Sequence, residues 1–157
     1  MKEALSKNAV IFKPKYDTRY SENEIVTHDG ECLPAYIFSS MKDIALVGET
    51  ARPYCFDEIQ FLDEDRYDGN FVDDIASLLS YGVDIYAAGL DMDWQGKPFK
   101  ITASLLAMAD HVTKLTASCN VCNNDARKTY KSVKNDNIVE LGASDLYEAR
   151  CNDHWII

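Results

Sequence analysis

Two short spacings near the end of this 157-residue chain restrict its fold more than any other feature: Cys119-x-x-Cys122 and Cys151-x-x-His154. A two-residue gap lets a tight turn bring both side chains onto one ion. Two such half-sites supply the four ligands that suit tetrahedral zinc. Four protein ligands close the coordination shell, so the metal read from this pattern is structural rather than catalytic. The competing reading is a reduced C-x-x-C pair with an unrelated cysteine and histidine nearby. Cys32 and Cys55 read as ordinary buried thiols. Five cysteines is an odd number, and the opening MKEALSKNAVIFK carries no secretory apolar stretch, so a disulfide framework is not expected.

The rest of the composition narrows the function classes. Hydrophobic residues make up 46% of the chain and charged residues 27%, enough apolar material for one domain with a real core and a small appendage. Acidic residues outnumber basic ones by 26 to 16, a net charge of −10. Few cations are then available to neutralise phosphates, which argues against a nucleic-acid interface. No apolar run approaches the length of a membrane span. The expected setting is cytoplasmic, with neither nucleic acid nor membrane as partner.

Along the chain, short apolar runs alternate with helical periodicity. Residues 1–8 read as the last turns of a helix, and Ala9–Pro14 as a buried strand. Lys15–Glu31 is polar and loop-like. Leu33–Lys42 reads as a strand entering a short helix, and Arg52–Phe56 as a strand ending at Asp57-Glu58. Phe71, Val72, Ile75, Leu78 and Leu79 repeat at helical spacing up to Tyr81, and Gly82 stands where a helix C-cap is expected. Val83–Leu90 reads as a strand, Thr102–Ala109 as a helix and Val112–Ala117 as a further strand. Such alternation predicts an α/β unit with a parallel sheet. After Cys119 the composition shifts to Asn and Asp, which predicts a small metal-pinned appendage.

In parallel α/β sheets, ligands bind beyond the carboxyl ends of the strands. Asp57-Glu58 lies at such an end. An aspartate there can hold magnesium, and a neighbouring glutamate can accept a proton from a hydroxyl nucleophile. Alone, such an acidic pair at a strand end usually just faces water. Trp94 and Phe99 are large apolar groups in the polar segment Gly89–Phe99, where they could equally cap the core. Asp17 and Arg19 could form an exposed ion pair, and His28 and His111 are isolated.

Taken together, five blocks in order resemble the zinc-containing, cytosolic type of thymidine kinase. They are Phe12–Ser21 (FKPKYDTRYS) with Thr27–Gly30 (THDG), Asp57–Leu62 (DEIQFL), Ala88–Phe99 (AGLDMDWQGKPF), Val112–Cys122 (VTKLTASCNVC) and Val139–His154 (VELGASDLYEARCNDH). The resemblance runs from about residue 5 to His154. It implies ATP-dependent transfer of a phosphoryl group to the 5′-hydroxyl of thymidine, giving dTMP for DNA synthesis in nucleotide salvage. By the same resemblance Glu58 is the general base and Asp57 the magnesium-associated carboxylate. Gln60 belongs to their motif, and Asp17 and Arg19 to the loop near the donor phosphates. Trp94 stands where the family more often has Phe against the base. Leu90, Thr129, Tyr147 and the stretch Ile138, Val139, Glu140, Leu141 and Gly142 match nucleoside-contacting positions. Cys119, Cys122, Cys151 and His154 would tie down the base of a substrate-closing loop over Asn123–Arg150. Zinc is then the structural metal, and magnesium accompanies ATP.

One part of the family pattern does not occur in these residues. A phosphate loop has the form G-x-x-x-x-G-K-[ST]. The Gly96-Lys97 pair is followed by Pro98, and Asp91 stands five residues before Gly96. The expectation is therefore a P-loop-kinase-like α/β domain over 1–118, lacking its first strand and phosphate loop, followed by a zinc-binding lasso subdomain over 119–157. Turnover is expected to need a missing N-terminal P-loop piece, one encoded separately or lost; a misassigned start would look the same. The alternative is a non-catalytic nucleoside-binding remnant or a subunit of a split kinase. A homotetramer is the assembly the family implies.

Overall fold

The computed structural model describes residues 6–18, 24–26, 32–48, 52–133, 135, 137–138 and 146–156. The apolar run after Ala9 forms strand β1 (Val10–Pro14), buried along its whole length. A β-hairpin follows, β2 (Glu24–Val26) paired antiparallel with β3 (Cys32–Pro34). Next come β4 (Tyr36–Phe38), helix α1 (Met41–Val47), β5 (Tyr54–Phe56), helix α2 (Phe71–Ser80), β6 (Ile85–Ala87) and helix α3 (Lys100–Met108). Among the described residues β4, β1, β5 and β6 lie side by side in that order, every pairing parallel. The expected α/β class with a parallel sheet is what the chain adopts.

The alternation of β1 splits its side chains between two cores. Val10 and Phe12 join Phe38, Tyr54, Phe56, Phe71, Ile75 and Leu78 under α2. At the centre, the Phe12 and Phe56 rings stack at 5.0 Å, and Phe71 meets Phe56 edge-on at 5.3 Å. Ala9 and Ile11 face the other way, onto Ile25, Ala35 and Cys55. Local chemistry sets the helix ends. The Asn70 side chain accepts from the N–H groups of Val72 and Asp73, and Asp73 and Asp74 complement the positive N-terminus of α2. Tyr81 closes that helix, and Gly82 follows at φ +78°. Ser40 caps α1 by accepting from Asp43 N–H at 3.4 Å. Asp43 accepts in return from Ser39 and Ser40, which draws its carboxyl below the ordinary range, chiefly through the Ser39 N–H.

Three expectations need correction. Lys15–Glu31 is not wholly loop, because β2 lies within it and Ile25 is buried against the sheet. A three-residue strand is too short to show periodicity. Val112–Ala117 does not form a sheet strand. A strand exists only through its neighbour, and among the described residues just Ala117–Ser118 (β7) pairs, antiparallel to Asp125–Ala126 (β8). An ion pair from Lys114 to Asp91 at 3.0 Å ties the preceding stretch to the loop after β6. Cys32 is exposed rather than buried, because β3 turns Leu33 toward the sheet and Cys32 away. Cys55 is buried, and loss of solvent pushes its thiol pKa up to about 11. Native protein treated with a maleimide at about pH 8 should therefore be modified at Cys32 with Cys55 protected, since the thiolate is the reactive form. Peptide mapping checks this, and equal labelling of the two would contradict the packing of β5.

The segment beyond the α/β unit forms two short antiparallel pairs. β9 (Lys128–Lys131) pairs antiparallel with β10 (Tyr147–Arg150), and β7 with β8 beside them. Its core is Cys119, Ala126 and Cys151, with Cys122 and Ala149 packed against them. No helix among the described residues is long and apolar enough to cross a membrane.

Candidate functional site

The carboxyl end of β5 carries Asp57 and Glu58. Asp57 N–H continues the ladder by donating to the Phe12 carbonyl at 3.0 Å. Glu58 then breaks it, adopting φ 51° and ψ 41° as the residue before a 3-10 turn over Ile59–Phe61. A left-handed backbone at a non-glycine residue costs on the order of 1–3 kcal/mol and persists where surrounding contacts hold it. Those contacts run through Gln60, which is 3% exposed. Its side-chain amide donates to the Glu58 carboxylate, and its carbonyl oxygen accepts from Leu90 N–H at 3.0 Å. One buried amide thus fixes the orientation of the carboxylate and attaches it to the loop after β6. Gly89 permits this approach, because a Cβ there would lie 2.5 Å from the Gln60 side-chain oxygen and 2.7 Å from Ile59 Cγ1. Buried Thr102 of α3 completes the anchor by donating to the Leu90 carbonyl at 2.8 Å.

From Leu90 the chain turns back on itself. Phe99 N–H donates to Asp91, Asp93 N–H to Lys97, and Met92 bridges Pro98. Leu90 stands at the base of this short hairpin, beside Gln60, with its side chain 53% exposed. Trp94 stands at the tip, buried, its indole N–H donating to the Asn137 carbonyl at 3.3 Å. Trp94 therefore does not cap the sheet core; it packs toward the segment after β9.

Two side chains that the sequence pattern did not single out join β9 to this hairpin. Trp155 donates its indole N–H to the Thr129 carbonyl at 3.0 Å and lies over Gly96, where a Cβ would meet the ring at 2.7 Å. Lys128 Nζ sits 4.7 Å from the Trp155 ring centre and 3.9 Å from Met92 Sδ. The second is Lys131, buried at the end of β9. A tryptophan directly after the C-x-x-H half-site was a usable signal for the first. A lysine in the polar run KTYK offered none for the second.

Other expected site residues are placed as follows. Thr129 and Tyr147 lie half-buried on the paired strands β9 and β10. Ile138 follows Asn137 and is 37% exposed. Asp17 is buried just beyond the carboxyl end of β1, its N–H donating to the Pro14 carbonyl at 2.9 Å. Arg19, His28, Val139, Glu140, Leu141 and Gly142 lie outside the described residues. Beyond β1 and β4, Lys15, Tyr16, Ser39, Asp65 and Arg66 line an open cavity of about 450 Å³. The Arg66 guanidinium there lies 4.3 Å from the Tyr16 ring centre.

Cys119, Cys122, Cys151 and His154 form one cluster whose ligand atoms all lie within 4.8 Å of one another. The Cys122 and Cys151 sulfurs are 3.8 Å apart, and His154 Nδ1 is 3.2 Å from Cys151 Sγ and 3.9 Å from Cys119 Sγ. Sulfurs about 2.3 Å from a tetrahedral zinc stand about 3.8 Å apart, so the donor set fits that ion. Burial opposes ionisation of Cys119, yet N–H groups of Cys151, Val121 and Cys122 outweigh it and hold its thiol at about 6. At Cys122 the Asn124 N–H favours the thiolate, but burial and the neighbouring sulfurs of Cys151 and Cys119 win and raise its pKa. Binding of a metal would displace the protons that remain.

The arrangement brings a held carboxylate, a buried aromatic ring and a Cys3His cluster onto one connected set of loops. The chain matches the family described as "TK: Thymidine kinase" over residues 1–155.

Proposed function

The chain belongs to the thymidine kinase family, and from that premise we propose that it binds thymidine between the Trp94 hairpin and the lasso over 119–157 and presents the 5′-hydroxyl to Glu58. The match over residues 1–155 carries this reading. The chain from Glu58 through Gln60 to Leu90 supports it, because it holds the carboxylate in register with the loop that bears Trp94. In this reading Glu58 accepts the hydroxyl proton as the oxygen attacks the γ-phosphorus of ATP, whose bond to the β–γ bridging oxygen breaks to release ADP. Asp57 associates with magnesium, which neutralises charge on the transferring phosphoryl group when bound. Asp17 and Arg19 belong to the donor side. Thr129, Ile138, Val139, Glu140, Leu141, Gly142 and Tyr147 line the nucleoside side, where backbone groups read the base. Cys119, Cys122, Cys151 and His154 hold zinc as a clamp at the two ends of the loop. The product is dTMP, the setting cytoplasmic salvage, and the assembly a homotetramer.

A second reading is favoured by one observation: none of the 157 residues forms a G-x-x-x-x-G-K-[ST] loop. The backbone N–H groups and lysine of such a loop normally cradle the donor phosphates. On this reading these 157 residues serve as a nucleoside-binding module with a weak hold on the donor phosphates. Calorimetry with thymidine and with magnesium ATP tests both readings on zinc-loaded protein. Thymidine should bind with a micromolar Kd, and ATP at least about tenfold more weakly, since several charge-assisted hydrogen bonds are absent. Folded protein that binds neither ligand would refute both readings, and tight ATP binding by the chain alone would refute the second.

A further inference from the structure

Lys131 is 1% exposed, an expensive place for an ammonium unless its donors are matched. Its Nζ donates to Asn135 Oδ1 at 2.6 Å and to the Asn137 carbonyl at 2.7 Å. It also stands 5.6 Å from the Trp94 ring centre and 5.8 Å from that of Tyr147, its partner across the β9–β10 ladder. The Asn137 carbonyl accepts simultaneously from Trp94 Nε1, and Asn135 Oδ1 also accepts from Asn137 N–H at 3.1 Å. One desolvated cation therefore joins three separate pieces: the end of β9, the residues Asn135 and Asn137, and the ring at the tip of the hairpin after β6. An apolar side chain of the same length would fill this space at lower desolvation cost, so packing alone does not account for a lysine. What the charge adds is orientation, because both carbonyl oxygens and both ring faces are aimed by it.

We propose that Lys131 is a positioning residue for nucleoside binding. It sets the orientation of Trp94 and holds Asn137, and with it the following Ile138, in the arrangement that receives the nucleoside. It acts through these residues and touches no reacting atom. The proposal rests on the thymidine-binding reading above and deepens it.

The test is calorimetric titration of thymidine into the zinc-loaded full chain, comparing wild type with Lys131→Met, Lys131→Arg and Asn135→Ala. Methionine keeps the length and removes the charge, and should weaken thymidine about 10- to 100-fold, the loss typical of a buried charged donor. Arginine keeps the cation and donors and should recover at least part of that loss. A purely structural role would lower the melting temperature without separating methionine from arginine in Kd. Wild-type affinity in Lys131→Met, or no recovery with arginine, overturns the positioning role and leaves the nucleoside reading standing. If Lys131→Met does not fold, Asn135→Ala at its exposed position decides. It removes the acceptor that Asn135 Oδ1 offers to Lys131, so a several-fold weaker Kd supports the proposal and an unchanged Kd overturns it. A folded wild type that does not bind thymidine overturns the underlying reading itself, and this proposal with it.

Discussion

Glu58→Gln should abolish nearly all thymidine phosphorylation, lowering kcat by about 10²–10⁴, the range a positioned general base contributes. Thymidine affinity should change by less than about threefold, because glutamine keeps the shape and a hydrogen-bond acceptor while losing the ability to take a proton. The site explains why so small a chemical change has so large an effect. Gln60 is buried and its amide is committed at both ends, to the Glu58 carboxylate and to Leu90 N–H. The carboxylate is thereby aimed before substrate arrives, and phosphoryl transfer depends on such positioning more than on covalent chemistry. The strained φ of 51° at Glu58 fits the same picture, since relaxed backbone would point the side chain elsewhere. The measurement pairs initial rates with calorimetric Kd for each form. Retention of more than about a tenth of the wild-type rate would remove Glu58 from the base role. A large loss of thymidine affinity in a folded variant would make it a binding residue instead.

Stripping the metal, or replacing Cys151 with serine, should release the lasso while leaving the parallel sheet folded. The two parts of the chain differ sharply in what holds them. The sheet has a deep aromatic core around Phe12, Phe38, Phe56 and Phe71. Among the described residues the buried cluster of the lasso is Cys119, Ala126 and Cys151, so two of the four candidate ligands are themselves the interior. Two-stranded sheets are marginal in water without a packed face. Structural zinc contributes on the order of 10 kcal/mol to small domains, far more than those few apolar contacts. Limited proteolysis should consequently speed up at least tenfold between Cys122 and Cys151 on chelation, with thymidine binding lost in parallel. The sheet's unfolding transition should remain. An unchanged cleavage pattern in metal-free protein would contradict the clamp, and loss of both transitions together would show that the sheet depends on the lasso for its own stability.

Much of this architecture was legible before any coordinates. The spacing of Phe71, Ile75 and Leu78 placed α2 to within a residue, because a helix that covers one core must repeat its apolar side chains at 3.6. The half-sites at Cys119-x-x-Cys122 and Cys151-x-x-His154 announced a cluster that converges to within 4.8 Å, since two-residue gaps enforce local turns whatever the surroundings. Asp57-Glu58 could be assigned to a strand end from the short apolar run before it. Ile25 in its three-residue strand and Val112–Ala117 outside the sheet were not legible, because short strands are decided by partners distant in sequence. The exposure of Cys32 was likewise settled by which face of β3 met the sheet.

The amino-acid sequence by itself determined the elements whose causes are local: the α/β alternation, the helix caps and the paired ligand spacings. Tertiary structure alone decided that Gln60 bridges Glu58 to Leu90, that Trp155 lies over Gly96, and that Lys131 is enclosed with Trp94 and Tyr147. The physical reason is range. Periodicity and capping act over a few residues, whereas a buried amide or ammonium also depends on groups that chain folding brings from far along the chain, as Leu90 is brought to Gln60 and Trp94 to Lys131.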